Sequence, residues 1–222
     1  MNNSVSNTVR LLWAGLRALL VLTVVTGVIY PLAVTGIAQG LLPGKANGSE
    51  IKADGKVVGS SLIGQSYNLP LKEGQETPEP DLKWFQGRPA NGLGTNTVNT
   101  QYKLILSGAT NRSADNKDLI DWVTAAKAAV VKDNSVDGYT VQPSDVPADA
   151  VTSSGSGLDP NISPDYADIQ VHRVAEKNGL SVAQVQKLVA EHTDGRTLGF
   201  IGEPRVNVLE LNIALRELLA KS

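Results

Sequence analysis

The strongest constraint in this sequence is a stretch without charge. The 27 residues between Arg17 and Lys45 contain no Asp, Glu, Lys or Arg, and ALLVLTVVTGVIYPLAVTGIA within them is almost continuously apolar. As an α-helix at ~1.5 Å per residue this run reaches ~40 Å, beyond the ~30 Å hydrocarbon thickness of a bilayer. A cleavable signal peptide is the rival reading, with Gly36-Ile37-Ala38 as a small-residue cleavage site. The apolar core of such peptides is only ~7–15 residues, so an uncleaved anchor fits better. The expected organisation is a tail at 1–10, a transmembrane helix at 11–42 and a body at 43–222. Pro31 removes a backbone donor inside the span and predicts a kink between Gly27 and Pro31. Gly36 and Gly40 form a small-xxx-small spacing that lets another helix approach closely.

Orientation follows from the basic residues near the ends of the span. Arg10, Arg17 and the amino terminus precede it, with no acid before Glu50. Lys45, Lys52 and Lys56 follow it, so the contrast rests on the short, acid-free leading tail, which favours the cytoplasm. The body is then expected outside the cytoplasm, as in the periplasm. Setting aside Arg10 and Arg17, the 20 basic and 22 acidic residues leave the body at net −4. It shows no basic stripe, which argues against nucleic acid as a partner. The chain has no cysteine, which excludes disulfides, thiolate metal sites, cysteine nucleophiles and a lipidated cysteine anchor.

The body reads as one α+β domain, with a loop-rich, β-containing first half and a helical C-terminal part. Val57-Val58 and Leu62-Ile63 are two β-prone pieces around Gly59. Residues 69–100 are dense in Pro, Gly, Asn and Thr and read as irregular surface. Within them Trp84-Phe85 either pins the loop to the core or offers a contact surface to a partner. From Asp115 the period becomes helical, with Leu119, Trp122, Val123, Ala126 and Val130 on one face. A polar turn follows, with Asn134 expected to be exposed and a short strand at Tyr139–Gln142. Three helices close the chain. The first runs over 165–177 with Gly179 beyond its end; Ser181 and Gln184 cap the second; Asn207 and Glu210 cap the third.

The segment SGLDPNISP, residues 156–164, invites a metal reading. Asp159, Asn161, Ser163 and Asp165 alternate like calcium ligands, but Pro164 stands where a sharp turn needs glycine and Gln170 where a bidentate Glu is needed. Ser163-Pro164-Asp165 is better read as cap, first-position proline and first-turn acid of a helix. The glycines and small residues of 153–157 imply a close backbone approach to something. His192 lies on the buried face of the second closing helix, and His172 beside the apolar stripe of the first. Plentiful Ser and Asp leave a Ser–His–Asp arrangement open, yet no G-x-S-x-G elbow surrounds Ser153, Ser154 or Ser156. GLLPGKA at 40–46 has the wrong spacing for a phosphate loop. Residue chemistry alone leaves open a membrane-anchored extracytoplasmic binding domain or a hydrolase.

Several long segments carry a resemblance. TGVIYPLAVTG, GSSLIGQ, WFQGRP, SSGSGLDPNISPDYADIQVHRVA and LGFIGEPRVNVLELNIAL, in this order along nearly the whole chain, resemble the C subunit of Kdp-type potassium-transporting ATPases, the KdpC family. The resemblance implies a single-pass inner-membrane accessory subunit, not an enzyme alone, in a complex that hydrolyses ATP to import potassium. The implied partners are a channel-like translocating subunit (KdpA), a P-type ATP-hydrolysing subunit (KdpB), a small single-span peptide (KdpF) and the lipid bilayer. ATP and potassium are then handled by those subunits, and no cofactor is assigned to this chain.

The family is also described as a catalytic chaperone that raises ATP affinity, through a segment that commonly reads SGGSN. Here LSGATN stands at 106–111, which leaves Ser107, Gly108 and Asn111 as the nucleotide candidates. Ala90 and Asn161 are further departures. The alternative is a body over the outer mouth of the translocating subunit, stabilising assembly. For that role the interface candidates are Ser156, Gly157 and Asp159, then Trp84, Phe85 and Arg88, with Gly36 and Gly40 in the membrane.

Overall fold

A computed structural model describes residues 3–91, 93–95 and 105–221. Residues 1 and 2 of the expected tail, and Gly92 and 96–100 of the expected loop, lie outside the described residues. The chain forms two compact units that meet in sequence at Glu50 and Ile51.

The first unit is helical. α1 (Asn3–Val24) continues through a π-helical turn (Val25–Ile29) into α2 (Tyr30–Leu41), followed by the short α3 (Pro43–Ala46). Residues Ser4–Leu41 are long and apolar enough to cross a membrane. The helix begins at Asn3, eight residues before the span expected at 11–42, so most of the leading tail is helical too. The predicted disturbance between Gly27 and Pro31 takes the form of the π turn. Pro31 has no N–H for the Gly27 carbonyl, and a widened turn just before it absorbs the shift in bonding register. A Cβ added at Gly36 or Gly40 meets nothing within 4 Å, so both present open backbone.

The second unit starts with the hairpin of β1 (Glu50–Ala53) and β2 (Lys56–Ser60). Asp54 (φ 52°) and Gly55 (φ 73°) join the strands with the two left-handed residues of a type I′ turn, for which Asp-Gly is a favoured pair. The strand stops at Ser60. Leu62 and Ile63, expected as a second β piece, are exposed turn residues. β3 (Gly94–Thr95) pairs antiparallel with β4 (Ile105–Leu106).

α4 (Lys117–Asn134) starts at Asn116, whose side chain accepts from the Leu119 N–H at 3.1 Å. Its apolar face differs from the expectation. Val130 is buried, but Trp122 is exposed and lies under the Arg112 guanidinium, 4.7 Å from the ring centre. Asn134 is buried, not exposed, because its side chain is a partner of a buried arginine. At Tyr139–Gln142 there is no strand, only a single bridge between Val136 and Tyr139.

The C-terminal part is helical with a small sheet threaded through it, which the sequence reading missed. β5 (Asn161–Ile162), α5 (Pro164–Asn178), α6 (Val182–Glu191), β6 (Thr193–Asp194), β7 (Arg205–Asn207) and α7 (Val208–Leu219) follow in chain order. The sheet is antiparallel in the order β5-β7-β6. Helix ends follow local chemistry. Ser163 caps α5 through the Tyr166 N–H, and Gly179 ends it in the left-handed conformation (φ 65°). Ser181 and Gln184 close a reciprocal capping box on α6, and the Asn207 side chain accepts from Leu209 and Glu210 at the start of α7. Val171, Val174, Val185, Val206, Leu211 and Leu215 meet in a core from which water is excluded. Each such side chain contributes about 1.5–3 kcal/mol by burial.

Candidate functional site

The WFQGRP segment, residues 84–89, sits against the C-terminal core without regular secondary structure, and no strand among the described residues pairs with it. Buried backbone groups need partners, and here helix side chains supply them. Asn212 of α7 accepts from the Phe85 N–H and donates to the Phe85 carbonyl, both at 2.9 Å. Gln170 of α5 does the same for Gln86, at 2.7 and 3.0 Å. Arg173, one turn further along α5, donates to the carbonyls of Leu82 and Trp84, to Asn134 at 2.8 Å and to Gln170 at 2.7 Å. These amides and the guanidinium stand in for a neighbouring strand. Burial draws Arg173 down to about 10 and pushes the Tyr166 phenol up to about 12.

This arrangement corrects one interface expectation. Phe85 is 0% exposed within the core, so its ring pins the segment and offers no surface to a partner. Trp84 is half-buried, 6.0 Å from the Tyr67 ring, in a cleft of about 210 Å³ that Arg216 also lines.

Beyond Phe85 the segment delivers Arg88 to the 153–160 loop. The Arg88 guanidinium pairs with Asp159 at 3.3 Å and donates to the carbonyls of Thr152 and Ser153, each at 3.4 Å. The other Asp159 oxygen accepts from the Asn161 backbone N–H at 3.0 Å and its side-chain amide at 3.2 Å. The close approach implied by the glycines is to the chain itself. A Cβ at Gly157 (φ 68°) lies 2.7 Å from Leu93 and 3.1 Å from the Gly108 carbonyl. A Cβ at Gly64 lies 2.7 Å from the Asp159 carbonyl, and the Gly64 N–H donates to Leu158 at 2.8 Å.

The nucleotide candidates join the same cluster. Ser107 Oγ and the Gly108 N–H both donate to the Ser156 carbonyl, at 2.9 and 3.0 Å. Asn111 stands apart, exposed and left-handed (φ 48°). The fold thus brings together Arg88, Ser107, Gly108, Ser156, Gly157 and Asp159, while Gly36 and Gly40 belong to the helical unit. Arg88 and Asp159 also line two open clefts. One, of about 390 Å³, is apolar, with Ile63, Leu93, Ile105 and Val208. The other, of about 450 Å³, is polar, with Asp149, Ser163 and Arg205.

Other candidate chemistry lies elsewhere. Asp149 accepts from the Ser163 N–H at 2.7 Å and its hydroxyl at 2.9 Å, fixing the start of α5. The His172 ring stacks on Tyr139 at 3.8 Å, and His192 Nδ1 bonds the Leu188 carbonyl at 2.8 Å. Among the described residues no three His, Asp or Glu side chains gather as metal ligands. The residues that sequence reasoning missed are Gln170, Arg173 and Asn212. Their signal was available: each is a polar residue at the helical period of an otherwise inward stripe.

Comparison with known proteins bears on the whole chain. The family model described as "KdpC: K+-transporting ATPase, c chain" matches residues 12–217. A Streptomyces avermitilis protein named "Potassium-transporting ATPase KdpC subunit" is 84% identical over 222 residues, covering 100% of both chains. Proteins of the same name from Streptomyces coelicolor and Kineococcus radiotolerans are 80% and 46% identical, covering 99% and 97% of this chain and 98% of each relative. A match of this extent, at these identities, shows that the chain belongs to the KdpC family.

Proposed function

We propose that this chain is a non-catalytic accessory subunit of an ATP-driven potassium import complex. Its body stands outside the cytoplasm and stabilises the assembly around the outer mouth of a KdpA-type translocating subunit. A KdpB-type subunit hydrolyses the ATP, a KdpF-type peptide completes the set, and ATP and potassium are held by those partners. The observation that carries this reading is the Ser156 carbonyl, which takes up both the Ser107 hydroxyl and the Gly108 N–H. Donors proposed for nucleotide phosphates are thus spent on holding a loop, the arrangement of a docking scaffold. The net negative body adds a mild attraction for cations near the entrance. An effect on ATP affinity of the catalytic-chaperone kind then arises indirectly, because coupling between sites in one assembly is reciprocal. This reading replaces the alternative of a binding domain or hydrolase unrelated to transport.

The test uses the absence of cysteine. Ala128, exposed on α4, is replaced by cysteine in the complex, and intact cells are treated with a membrane-impermeant maleimide. Labelling without permeabilisation is the expected result. Labelling only after permeabilisation places the body in the cytoplasm and overturns the reading.

A further inference from the structure

The two charged side chains of α1 lie on one face near its leading end. Arg10, Trp13, Ala14 and Arg17 follow the i, i+3, i+4, i+7 spacing that stacks helical residues one above another. The Arg17 guanidinium stands over the Trp13 ring, 5.9 Å from its centre. Helical side chains lean toward the N-terminus, so Arg17 turns away from the apolar run that follows it and rises toward Trp13. The chain holds no acid before Glu50, so α1 offers neither arginine a carboxylate. All four residues are exposed.

Depth fits the same face. Arg17 borders the uncharged run and so marks the edge of the hydrocarbon. At ~1.5 Å per residue Trp13 stands ~6 Å and Arg10 ~10 Å further out, across a headgroup layer of ~5–7 Å. Charge then selects the occupant. The planar guanidinium fork takes phosphate oxygens in pairs, and an indole settles at the boundary between headgroup and acyl chain. A zwitterionic lipid brings an ammonium of the same sign as the arginines and leaves both cations uncompensated. A second copy of α1 brings two more cations to the face and is repelled. A headgroup of net negative charge satisfies the pair.

We propose that Arg10, Trp13 and Arg17 form a binding site for the phosphate headgroup of an anionic phospholipid, in the leaflet at the leading end of α1. With the orientation argued above this is the cytoplasmic leaflet. A headgroup held there fixes the depth and rotation of the span at that end.

The test places a benzophenone photo-crosslinking analogue in place of Ala14, in the middle of this face, and in a second preparation in place of Leu12, on the opposite face. The complex carrying either one is reconstituted in phosphatidylcholine vesicles with a minority of phosphatidylglycerol, irradiated, and its lipid adducts are counted by mass spectrometry. One arginine near the surface is worth about fivefold in local anionic lipid. The pair is therefore expected to enrich phosphatidylglycerol at position 14 about 25-fold over position 12. Arg10→Gln with Arg17→Gln is expected to abolish the enrichment. Arg10→Lys with Arg17→Lys is expected to lose most of it, because an ammonium carries the charge without the fork. Enrichment left intact by the lysine pair reports surface charge with no site and overturns the proposal. Equal lipid composition at the two positions overturns it as well, and so does a polypeptide adduct at position 14, which gives the face to an acidic partner. None of these results moves the assembly role, since maleimide labelling at position 128 reads the side of the body separately.

Discussion

Replacing Asn212 by leucine keeps the side-chain volume and removes both hydrogen bonds to Phe85. The Phe85 N–H and carbonyl are buried, and each is served by Asn212 at 2.9 Å. Phe85 is 0% exposed and Asn212 2%, so neither backbone group lies open to bulk solvent. Each unsatisfied buried group costs about 1–3 kcal/mol, so the substitution is expected to destabilise by roughly 2–6 kcal/mol. Against a total of about 5–15 kcal/mol for an ordinary domain this is a large share. For a domain of this size about 2–4 °C of melting temperature is lost per kcal/mol, so a fall on the order of 10 °C is expected. The assay is urea unfolding of the full chain in detergent, followed by tryptophan fluorescence, with Glu217→Ala on the exposed side of α7 as control. A loss below about 1 kcal/mol relative to that control would refute the argument that helix amides replace a strand partner for residues 84–86.

Gly157→Ala introduces a Cβ at positive φ, 2.7 Å from Leu93, and is expected to cost about 1–3 kcal/mol and to loosen the complex; Asp159→Ala, which leaves Arg88 without its carboxylate, is expected to act the same way. Unchanged urea midpoints and co-purification in both variants would count against the loop as a scaffold. A third expectation concerns alkaline pH. The Tyr166 pKa is raised to about 12, so between about 10 and 12 the folded chain keeps a proton that the unfolded chain has lost, and stability falls as pH rises through that window. Arg173, lowered to about 10, acts in the opposite sense, so the readout is the difference between the wild type and Tyr166→Phe. The variant's stability should fall less steeply above pH 10, and parallel curves would sink the assignment.

Much of the fold is legible because its signals are local. The apolar run before Lys45 needs no partner to be recognised, and Pro31 locates its own disturbance within one turn. The caps at Ser163, Ser181 and Asn207 act within three residues of themselves, and Gly179 ends α5 by its own φ. The candidate cluster was legible in part, since the glycines around Ser156 announced a close approach. Phe85, Trp122 and Asn134 were among the places where surface exposure was misjudged.

The sequence by itself therefore determined an apolar span, the ends of the main helices and the family. These depend on period, composition and ordered motifs, which are properties of neighbours in the chain. Only the tertiary structure decided that the approach at Gly157 is to Gly108, that Arg88 meets Asp159 across the core's edge, and that Gln170 and Asn212 serve as a strand for residues 85 and 86. It also decided that one phenylalanine is buried and the other stands in solvent. Burial is set by which distant segments come into contact, and a residue's own neighbours carry almost no information about that.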